Sequence, residues 1–431
     1  MKHLMTAAFV ALTAGAVMAE NRIDTIRPDA PELAAYGPHT VGVRSFDLVN
    51  PGQIDIVNTT AETAPTYDRP LTVEVWYPAA AGTEPGGTYE NVPLRAPQVK
   101  VSLQGRAVRD AAPAAEGRFP LIVISHGYPG NRFLMAHLGE NLASKGYVTV
   151  SIDHTDSTYS DQNAFGSTLL NRPLDQDFVV ETFADFSSVS PELAAIIDGE
   201  TVGVIGYSMG GYGALIYGGA GVTQASTEYP WGTPNGLLQR HLEGSDSHAE
   251  MPNERVKAMI SIAPWGKNAG FWSADGLAGF SKPLMLIAGS VDDVSIYSAL
   301  RAIFDETTNT HRHLLTFQNA NHNAGAPMPA PKESYAMVDG FDFPPFEHYA
   351  DAVWDNVRMN NITQHFATAF MDLHLKNDLE KVAYIDLIPD AADGVHDIGE
   401  DGKPSEKHTY WEGFAPRTAA GLMFESKHAG E

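Results

Sequence analysis

The sequence predicts an α/β fold with a mostly parallel central sheet, flanking helices and insertions above the sheet. Two observations predict it. Short runs of continuous apolar residues, such as Leu-Ile-Val-Ile at 121–124, are typical of strands buried on both faces of a parallel sheet. These runs alternate with helical segments, as crossover connections between parallel strands require. We therefore expect one α/β domain over residues 20–431, preceded by a removable leader at 1–19.

The predicted leader has the pattern of a signal peptide. Lys2 and His3 precede an apolar stretch, and Val17, Met18 and Ala19 place small residues at a cleavage site, so we expect cleavage after Ala19. An ordinary N-terminal helix is the alternative. No other segment has the roughly 18 uninterrupted apolar residues of a transmembrane helix. The sequence therefore predicts a periplasmic or secreted protein without stable membrane insertion.

Composition excludes several kinds of chemistry. The chain has no cysteine, so disulfides, thiolate metal sites, cysteine nucleophiles and a lipoprotein anchor are excluded. Its 28 basic and 53 acidic residues give a net charge of −25. Such a surface disfavours nucleic acid, which needs a basic footprint, and anionic membranes. The acidity would suit a saline habitat, or it serves solubility alone.

The strands are predicted in chain order. Alternating residues indicate strands at 40–48, 53–58 and 71–77, which would extend one edge of the sheet. Residues 79–118, rich in Pro and Gly, indicate a surface loop with little internal core. A helix is expected over about 133–145. The core strands are expected at 120–125, 147–152, 202–205, 256–262, 283–288 and 313–317, the last of the sheet.

The remaining segments are a final helix and candidate insertions. Apolar residues at helical spacing predict the helix over 347–375. Residues 219–255, rich in Gly, Ser and charge, predict a cap insertion, and 155–180 a second insertion. Residues 380–431 form a C-terminal extension. Its Asp residues do not match the spacing of an EF-hand, so a solvated acidic tail is favoured over a calcium loop.

The pattern Gly-Tyr-Ser-Met-Gly at 206–210 is the strongest chemical signal in the chain. G-x-S-x-G places a serine on a sharp turn between a strand and a helix, where glycines remove side chains that would collide. The context required is met, because a buried strand precedes the motif and a run of small residues follows it. Ser208 is therefore the predicted nucleophile.

A serine nucleophile needs an acid and a base, which follow it in the chain in this arrangement. The strand at 284–289 ends in Ser-Val-Asp-Asp-Val, and an acid just past such a strand lies in the crevice at the sheet's edge. Asp292 is the predicted acid, with Asp293 as its rival.

The predicted base is His322, which follows the strand at 314–317. A loop after the last strand lets the ring reach the serine. His348 and His365 lie in or beside the final predicted helix, a poor place for a mobile base. His311 and His313 lie at the opposite end of their strand.

An oxyanion hole is expected from two backbone N–H groups. One belongs to Met209, directly after the nucleophile, and the other lies in the loop after the strand at 121–125. That loop reads His-Gly-Tyr-Pro-Gly at 126–130, which makes the Tyr128 amide the second expected donor.

Together these residues carry a family resemblance over roughly 115–325. Ser-His-Gly-Tyr at 125–128, Asp-His at 153–154, the motif at 206–210 and Asn-His at 321–322 resemble the dienelactone hydrolase and platelet-activating-factor acetylhydrolase group. That group grades into bacterial cutinases and polyester hydrolases. The resemblance implies the α/β-hydrolase fold, with Ser208, Asp292 and His322 as a catalytic triad and no metal or organic cofactor.

A further likeness concerns Ala-Pro-Trp at 263–265, which is similar to a motif of polyester hydrolases. It implies that Trp265 stacks on an aromatic substrate, with Tyr128 on the facing side, although packing in the core or cap is the alternative. Two features depart from that group: the chain is longer, and it cannot form the disulfide that often holds the C-terminal region. Dienelactone hydrolases themselves use a cysteine nucleophile.

The expected function is hydrolysis of carboxylic esters, small or polymeric, through an acyl-enzyme. The same triad could instead cleave amides or peptides, and sequence does not separate the two. A non-catalytic binding protein on this scaffold would be expected to lack a member of the triad, yet all three candidates are present.

Overall fold

Strands and helices alternate along most of the chain, as the apolar runs predict. The computed structural model describes residues 21–431, so the predicted leader at 1–19 lies outside the described residues. The strands are β1 (Val41–Ile54), β2 (Thr66–Pro78), β3 (Gly87–Pro93), β4 (Lys100–Gly105), β5 (Val108–Arg109), β6 (Phe119–Ser125), β7 (Val148–Asp153), β8 (Ile197–Tyr207), β9 (Val256–Ile262), β10 (Leu284–Gly289), β11 (Arg312–Phe317) and β12 (Leu422–Lys427). The helices are α1 (Ala136–Ser144), α2 (Phe165–Ala184), α3 (Pro191–Ala194), α4 (Met209–Tyr217), α5 (Asp246–Ala249), α6 (Ala274–Ala278), α7 (Tyr297–Glu306) and α8 (Asn356–Leu375).

Ten strands form one sheet in the order β12-β11-β10-β9-β8-β6-β7-β2-β1-β5. The strands from β11 to β7 in that order are parallel, because helical crossovers connect them. β1 and β2 are antiparallel and join the sheet through β7, which confirms that the N-terminal strands extend one edge. One apolar layer covers each face of the sheet. The carboxyl ends of the parallel strands meet at one edge, where loops can assemble a site.

The last strand of the sheet is β12, not the predicted strand at 313–317. β12 pairs antiparallel with β11, and the segment 380–431 is not the solvated tail that the sequence predicted. Trp411 and Phe424 of this segment are each 1% exposed. Its loops are rich in Asp and Gly, and a short edge strand gives a weak signal, so the buried residues were not recognised. Residues 21–431 contain no group of three or more His, Asp or Glu side chains that could hold a metal ion.

The predicted surface loop at 79–118 contains an antiparallel hairpin with its own buried face. β3 and β4 pair in a separate two-stranded sheet. Tyr89, Val92 and Leu103 are at most 1% exposed. The Tyr89 hydroxyl donates to the buried Glu140 carboxylate of α1 at 2.5 Å. The flanking Pro and Gly residues conceal the short alternation of these strands, which is why the loop prediction is wrong.

α2 is the crossover helix between β7 and β8, not the insertion predicted at 155–180. Six polar residues of this helix are buried, namely Ser167, Thr168, Asn171, Arg172, Asp175 and Gln176. They interrupt its apolar periodicity, so the helical pattern is hard to see in the sequence. Hydrogen bonds to backbone carbonyls and other polar side chains compensate for their burial.

The final helix α8 begins later than predicted. Its first residue is Asn356 rather than 347, and Asp355 caps it by accepting the backbone N–H three residues on at 2.8 Å. Val353, which lies within the predicted helix, precedes the observed one and is 66% exposed. Neither α8 nor any other helix in residues 21–431 is both long and apolar enough to cross a bilayer.

Candidate active site

The serine of the G-x-S-x-G motif lies on the sharp turn that the motif predicts. Ser208 joins β8 to α4 with φ 52° and ψ −112°, a conformation that L-residues rarely adopt. The two glycines permit close backbone contacts. A Cβ on Gly206 would lie 2.2 Å from the Gly210 carbonyl oxygen, and a Cβ on Gly210 would lie 2.0 Å from the Ser125 carbonyl oxygen. Larger residues would therefore displace the turn.

The structure brings Ser208, His322 and Asp292 into one hydrogen-bonded line. His322 Nε2 lies 3.0 Å from Ser208 Oγ, and His322 Nδ1 lies 2.8 Å from Asp292 Oδ2. The three residues come from the ends of β8, β10 and β11, which are the strand ends at the same edge of the sheet. The Nδ1–H donates to the carboxylate, so Nε2 is free to accept the serine proton.

Asp292, rather than Asp293, is the acid in contact with His322. Asp292 is 4% exposed, and its Oδ1 accepts the backbone N–H groups of Val294 at 2.9 Å and Ser295 at 2.8 Å. Burial disfavours the charged form, but the hydrogen bond from His322 and these two N–H groups outweigh it and lower the pKa of Asp292. The carboxylate is therefore ionised at neutral pH. Asp293 is exposed and lines the cleft beside the site.

The two expected oxyanion donors lie beside Ser208. Met209 is the first residue of α4, where backbone N–H groups have no partner within the helix. Tyr128 lies in the loop after β6, and Gly127 lies so close that a Cβ on it would be 3.3 Å from the Ser208 Cβ. Within residues 21–431, neither the Met209 nor the Tyr128 N–H has an acceptor. Both amides are thus available to a bound oxygen.

The site opens into a cleft of about 650 Å³. Its aromatic lining includes Tyr128, Tyr207, Phe343 and Phe346. One wall is formed by residues between 343 and 352, which connect β11 to α8 and which the sequence did not single out as part of the site. By contrast, no residue of the predicted cap at 219–255 lines the cleft.

Arg95 is the basic residue in the cleft lining. Its guanidinium lies over the Phe341 ring at 5.4 Å from the centroid. In the part of the chain that the structure describes, it forms no ion pair with a carboxylate. The cleft therefore contains one positive charge that a bound anion can approach.

The loop that carries His322 is fixed by residues that sequence reasoning missed. The Asn321 N–H donates to Asp351 Oδ2 at 2.7 Å, and the Tyr207 hydroxyl donates to Asn323 Oδ1 at 3.0 Å. The Asn323 side chain in turn donates to the Ala350 carbonyl at 2.7 Å. Each contact joins residues at least 27 positions apart, and no local pattern pairs them, so only the fold reveals them.

Trp265 lies in an aromatic cluster and is not among the residues that line the cleft. Tyr128 and Trp265 were expected to face each other across an aromatic substrate. Phe165 contacts both, with its ring centroid 5.2 Å from that of Tyr128 and 5.7 Å from that of Trp265. Tyr229, from the segment 219–255, packs on the same tryptophan at 6.1 Å. The structure does not place these two aromatic rings across an open gap.

Within residues 21–431, none of the other candidate histidines is hydrogen-bonded to Ser208. His365 is buried in α8, and His313 lies in β11 with its Nδ1 2.7 Å from the Ser426 hydroxyl. His348 lines the cleft, but burial, followed by the positive charge of Arg95 and the ring of His322, lowers its pKa to about 3. It is therefore neutral at ordinary pH.

Comparisons with known proteins agree with this fold. The family model of PET hydrolase-like proteins (PETase) matches residues 105–236. Cutinase est1 of Thermobifida alba is 25% identical over 214 residues, 49% of this chain and 56% of its own length. A bis(hydroxyethyl) terephthalate hydrolase of Streptomyces coelicolor is 32% identical over 101 residues, 23% of this chain and 29% of its own length.

The likeness to a solved structure extends further along the chain. A ferulic acid esterase from Streptomyces cinnamoneus superposes with a TM-score of 0.56 at 21% identity, over 83% of this chain and 94% of that one. The match covers 56% of the length of the cutinase and 29% of the length of the terephthalate ester hydrolase, so this chain spans only part of these relatives. The parallel sheet and these likenesses together show that the chain has the α/β-hydrolase fold and is similar to cutinases and polyester hydrolases.

Proposed function

We propose that this chain is a serine hydrolase that cleaves carboxylic esters. The observation that carries the proposal is the line from Asp292 through His322 to Ser208, with its 2.8 Å and 3.0 Å contacts at the floor of an open cleft. An ionised acid, an oriented imidazole and a hydroxyl on a strained turn are the parts that acyl transfer requires.

The proposed reaction has two halves. His322 Nε2 takes the Ser208 proton as Oγ attacks the ester carbonyl, and the N–H groups of Met209 and Tyr128 receive the oxyanion. The alkoxide then leaves with the proton from His322, and an acyl-enzyme ester on Ser208 remains. Water, deprotonated by His322, attacks this ester and releases the acid. Asp292 stays ionised and stabilises the imidazolium in both halves.

The relatives favour an ester over an amide. Three kinds of protein that match this chain in sequence or in fold are named for esters: cutinases, a bis(hydroxyethyl) terephthalate hydrolase and a ferulic acid esterase. The aromatic side chains that line the cleft favour esters with an aromatic acyl part. We take such esters, free or at a polymer surface, as the proposed substrates.

The first experiment is labelling with a fluorophosphonate, read by mass spectrometry of the intact protein. One adduct on the native protein and none on Ser208→Ala would support the proposal. Ser261→Ala is the matched control, since Ser261 is fully buried and its hydroxyl has no hydrogen-bond partner among the described residues, and it should still be labelled. Absence of an adduct on the native protein would refute an activated Ser208. It would favour the alternative of a non-catalytic binding protein on this scaffold.

The second experiment separates ester from amide hydrolysis. Matched 4-nitrophenyl esters and 4-nitroanilides of the same aromatic acid differ only in the atom of the leaving group. The proposal expects ester turnover at least 10³-fold above anilide turnover in kcat/KM. Comparable values for the two would instead favour the amidase or peptidase alternative.

We also propose that the protein is exported after cleavage behind Ala19. The basic start, the apolar stretch and the small residues before Glu20 support it. The mass of the protein recovered from periplasm and medium tests it: a chain that begins at Glu20 is expected, and a chain that retains residues 1–19 there would contradict it.

A further inference from the structure

Arg172 is a buried cation on α2 that the reaction described above does not use. It is 1% exposed, and none of its contacts within residues 21–431 is an ion pair with a carboxylate. Burying a charge without a countercharge is costly. The guanidinium instead donates to oxygen atoms of the loop that follows β6 and to the Ser157 hydroxyl at 2.5 Å. Burial lowers its pKa to about 9, so the side chain is still charged at neutral pH.

The loop contacts of Arg172 are centred on one peptide group. Its Nη2 donates to the Gly127 carbonyl at 3.0 Å, and its Nη1 donates to the His126 carbonyl. The His126 Nδ1–H supplies a second donor to the Gly127 carbonyl at 2.6 Å. Two donors therefore occupy the two acceptor directions of that oxygen.

The Gly127 carbonyl and the Tyr128 N–H belong to the same peptide plane. The bond between them is trans, so the carbonyl and the N–H point in opposite directions. Donors that hold the carbonyl toward α2 must hold the N–H away from it, and that N–H has no acceptor among the described residues 21–431. Arg172 thus lies behind the expected oxyanion donor.

A buried chain of hydrogen bonds extends from the same loop. His154 Nδ1 lies 2.9 Å from Asp175 Oδ2, and His154 Nε2 lies 2.8 Å from Ser125 Oγ. Arg69 donates to both oxygens of Asp175 at 2.8 and 2.9 Å, so the positive charge of Arg69 balances the negative charge of that carboxylate. Since the carboxylate only accepts, the Nδ1–H of His154 donates to it, and Nε2 accepts a hydrogen bond from the Ser125 hydroxyl. This leaves a lone pair of Ser125 Oγ directed to Arg172 Nη1 at 3.5 Å.

From these contacts we infer that Arg172 is a positioning residue, which holds the Gly127–Tyr128 peptide so that the Tyr128 N–H faces the oxyanion. The inference rests on the proposed function, and it assigns a purpose to a buried charge that stability alone would disfavour. The positive charge of Arg172 also polarises this peptide group. A charged donor on the carbonyl makes the N–H of the same peptide a stronger hydrogen-bond donor.

The test compares Arg172→Lys and Arg172→Gln with the native protein. Lysine keeps the charge but not the planar fork, and glutamine keeps a donor without the charge. An oxyanion donor acts in the transition state, so kcat should fall with KM unchanged. Loss of one such donor costs roughly 10²- to 10³-fold, and its misorientation should cost roughly 10- to 100-fold. The inhibition constant of phenylboronic acid, whose adduct with Ser208 places an oxygen in the same position, should rise by the same factor.

Arg312→Lys is the matched control. Arg312 is also fully buried and donates to backbone carbonyls, but it lies at the opposite ends of the strands. It should keep kcat within 2-fold. A folded Arg172 variant with kcat within 2-fold of the native value overturns the inference, as does an equal loss in Arg312→Lys. Should neither Arg172 variant fold, Ser157→Ala decides: at least a threefold fall in kcat at constant KM supports the inference, and an unchanged kcat overturns it.

Failure of the proposed function is visible separately, as a native protein that neither reacts with fluorophosphonate nor turns over any ester. In that case the crystal structure of Arg172→Lys decides the inference. A rotated Gly127–Tyr128 peptide supports the positioning role, and a peptide in its native orientation overturns it.

Discussion

The replacement of Asp292 by asparagine is the sharpest test of the hydrogen bonds that orient His322. In the native protein, two backbone N–H groups, from Val294 and Ser295, donate to Oδ1 at 2.9 and 2.8 Å. An asparagine must direct its oxygen to these donors, because its NH₂ group cannot accept a hydrogen bond. The NH₂ group then takes the place of Oδ2, which lies 2.8 Å from His322 Nδ1.

The consequence is the wrong tautomer of His322. An NH₂ group that faces Nδ1 donates to it, so the single proton of the neutral ring moves to Nε2, the atom that lies 3.0 Å from Ser208 Oγ. A protonated Nε2 cannot accept the serine proton. We expect kcat to fall by roughly 10⁴-fold, which corresponds to about 5.5 kcal/mol at 1.36 kcal/mol per tenfold. The fold should survive, because the side chain keeps its shape and its backbone partners.

The assay is the burst of 4-nitrophenol release from an activated ester, with Asp293→Asn as the matched control. Asp293 is exposed and forms no hydrogen bond to His322 within residues 21–431, so its variant should keep kcat within about 2-fold, as surface changes usually do. The reasoning is refuted if Asp292→Asn retains more than a tenth of native kcat, or if Asp293→Asn is the more damaged variant.

Four further outcomes are expected. His137 is buried with both ring nitrogens unpartnered and a pKa lowered by burial to about 3, so only the unfolded chain binds its proton below about pH 6.5. Stability should thus fall as pH drops from 6.5 toward 3. In urea unfolding at pH 7, 6 and 5, His137→Leu should reduce that fall by about 0.7 kcal/mol between pH 7 and 6 and by about 1.2 kcal/mol between pH 6 and 5; an unchanged slope would contradict it. For the methyl monoester of a dicarboxylic acid, whose other acid group is a free carboxylate, Arg95→Gln should lower kcat/KM about 10-fold. The ester with a carboxamide in place of that carboxylate should be unaffected, and equal effects on both would exclude an anion site at Arg95. Trp265→Ala should lower the free energy of unfolding by roughly 3 kcal/mol and leave kcat/KM for small esters within 2-fold. A fall in kcat/KM confined to aromatic esters would instead support stacking of Trp265 on an aromatic substrate. Deletion of residues 421–431 should leave β11 as an open edge and yield aggregated protein, and a soluble, active truncation would show that β12 is dispensable.

The central strands could be predicted because their composition has few alternatives. A run such as Leu-Ile-Val-Ile at 121–124 has no polar face, so it must be covered on both sides, and a parallel sheet between two helical layers does this. The meeting of serine, acid and base followed from the same sheet. The carboxyl ends of parallel strands share one edge, so residues just past three strands meet without further information.

Edge elements were missed because they need less apolar surface. β12 and the hairpin of β3 and β4 each bury one face only, and Pro, Gly and Asp surround them. Helix α2 was missed for a different reason, since residues such as Arg172 and Asp175 are polar and yet fully buried. Their partners are backbone carbonyls and side chains up to 106 positions away, which leave no local pattern.

The molecule contains two hydrogen-bonded chains of serine, histidine and aspartate, and the difference between them shows what the residue types alone do not decide. Ser125 is the last residue of the buried strand β6, Ser208 directly follows the buried strand β8, and both histidines contact their partners at 2.8–3.0 Å. In the inner chain Ser125 is fully buried, with its hydroxyl already bonded to His154 and with Arg172 at its lone pair. In the outer chain Ser208 faces a cleft, on a turn with positive φ, beside two N–H groups that have no acceptor within residues 21–431. Under the proposed function, access and unsatisfied donors distinguish the reactive serine, whereas the three side-chain types do not. Arg172 connects the inner chain to the loop that carries Tyr128.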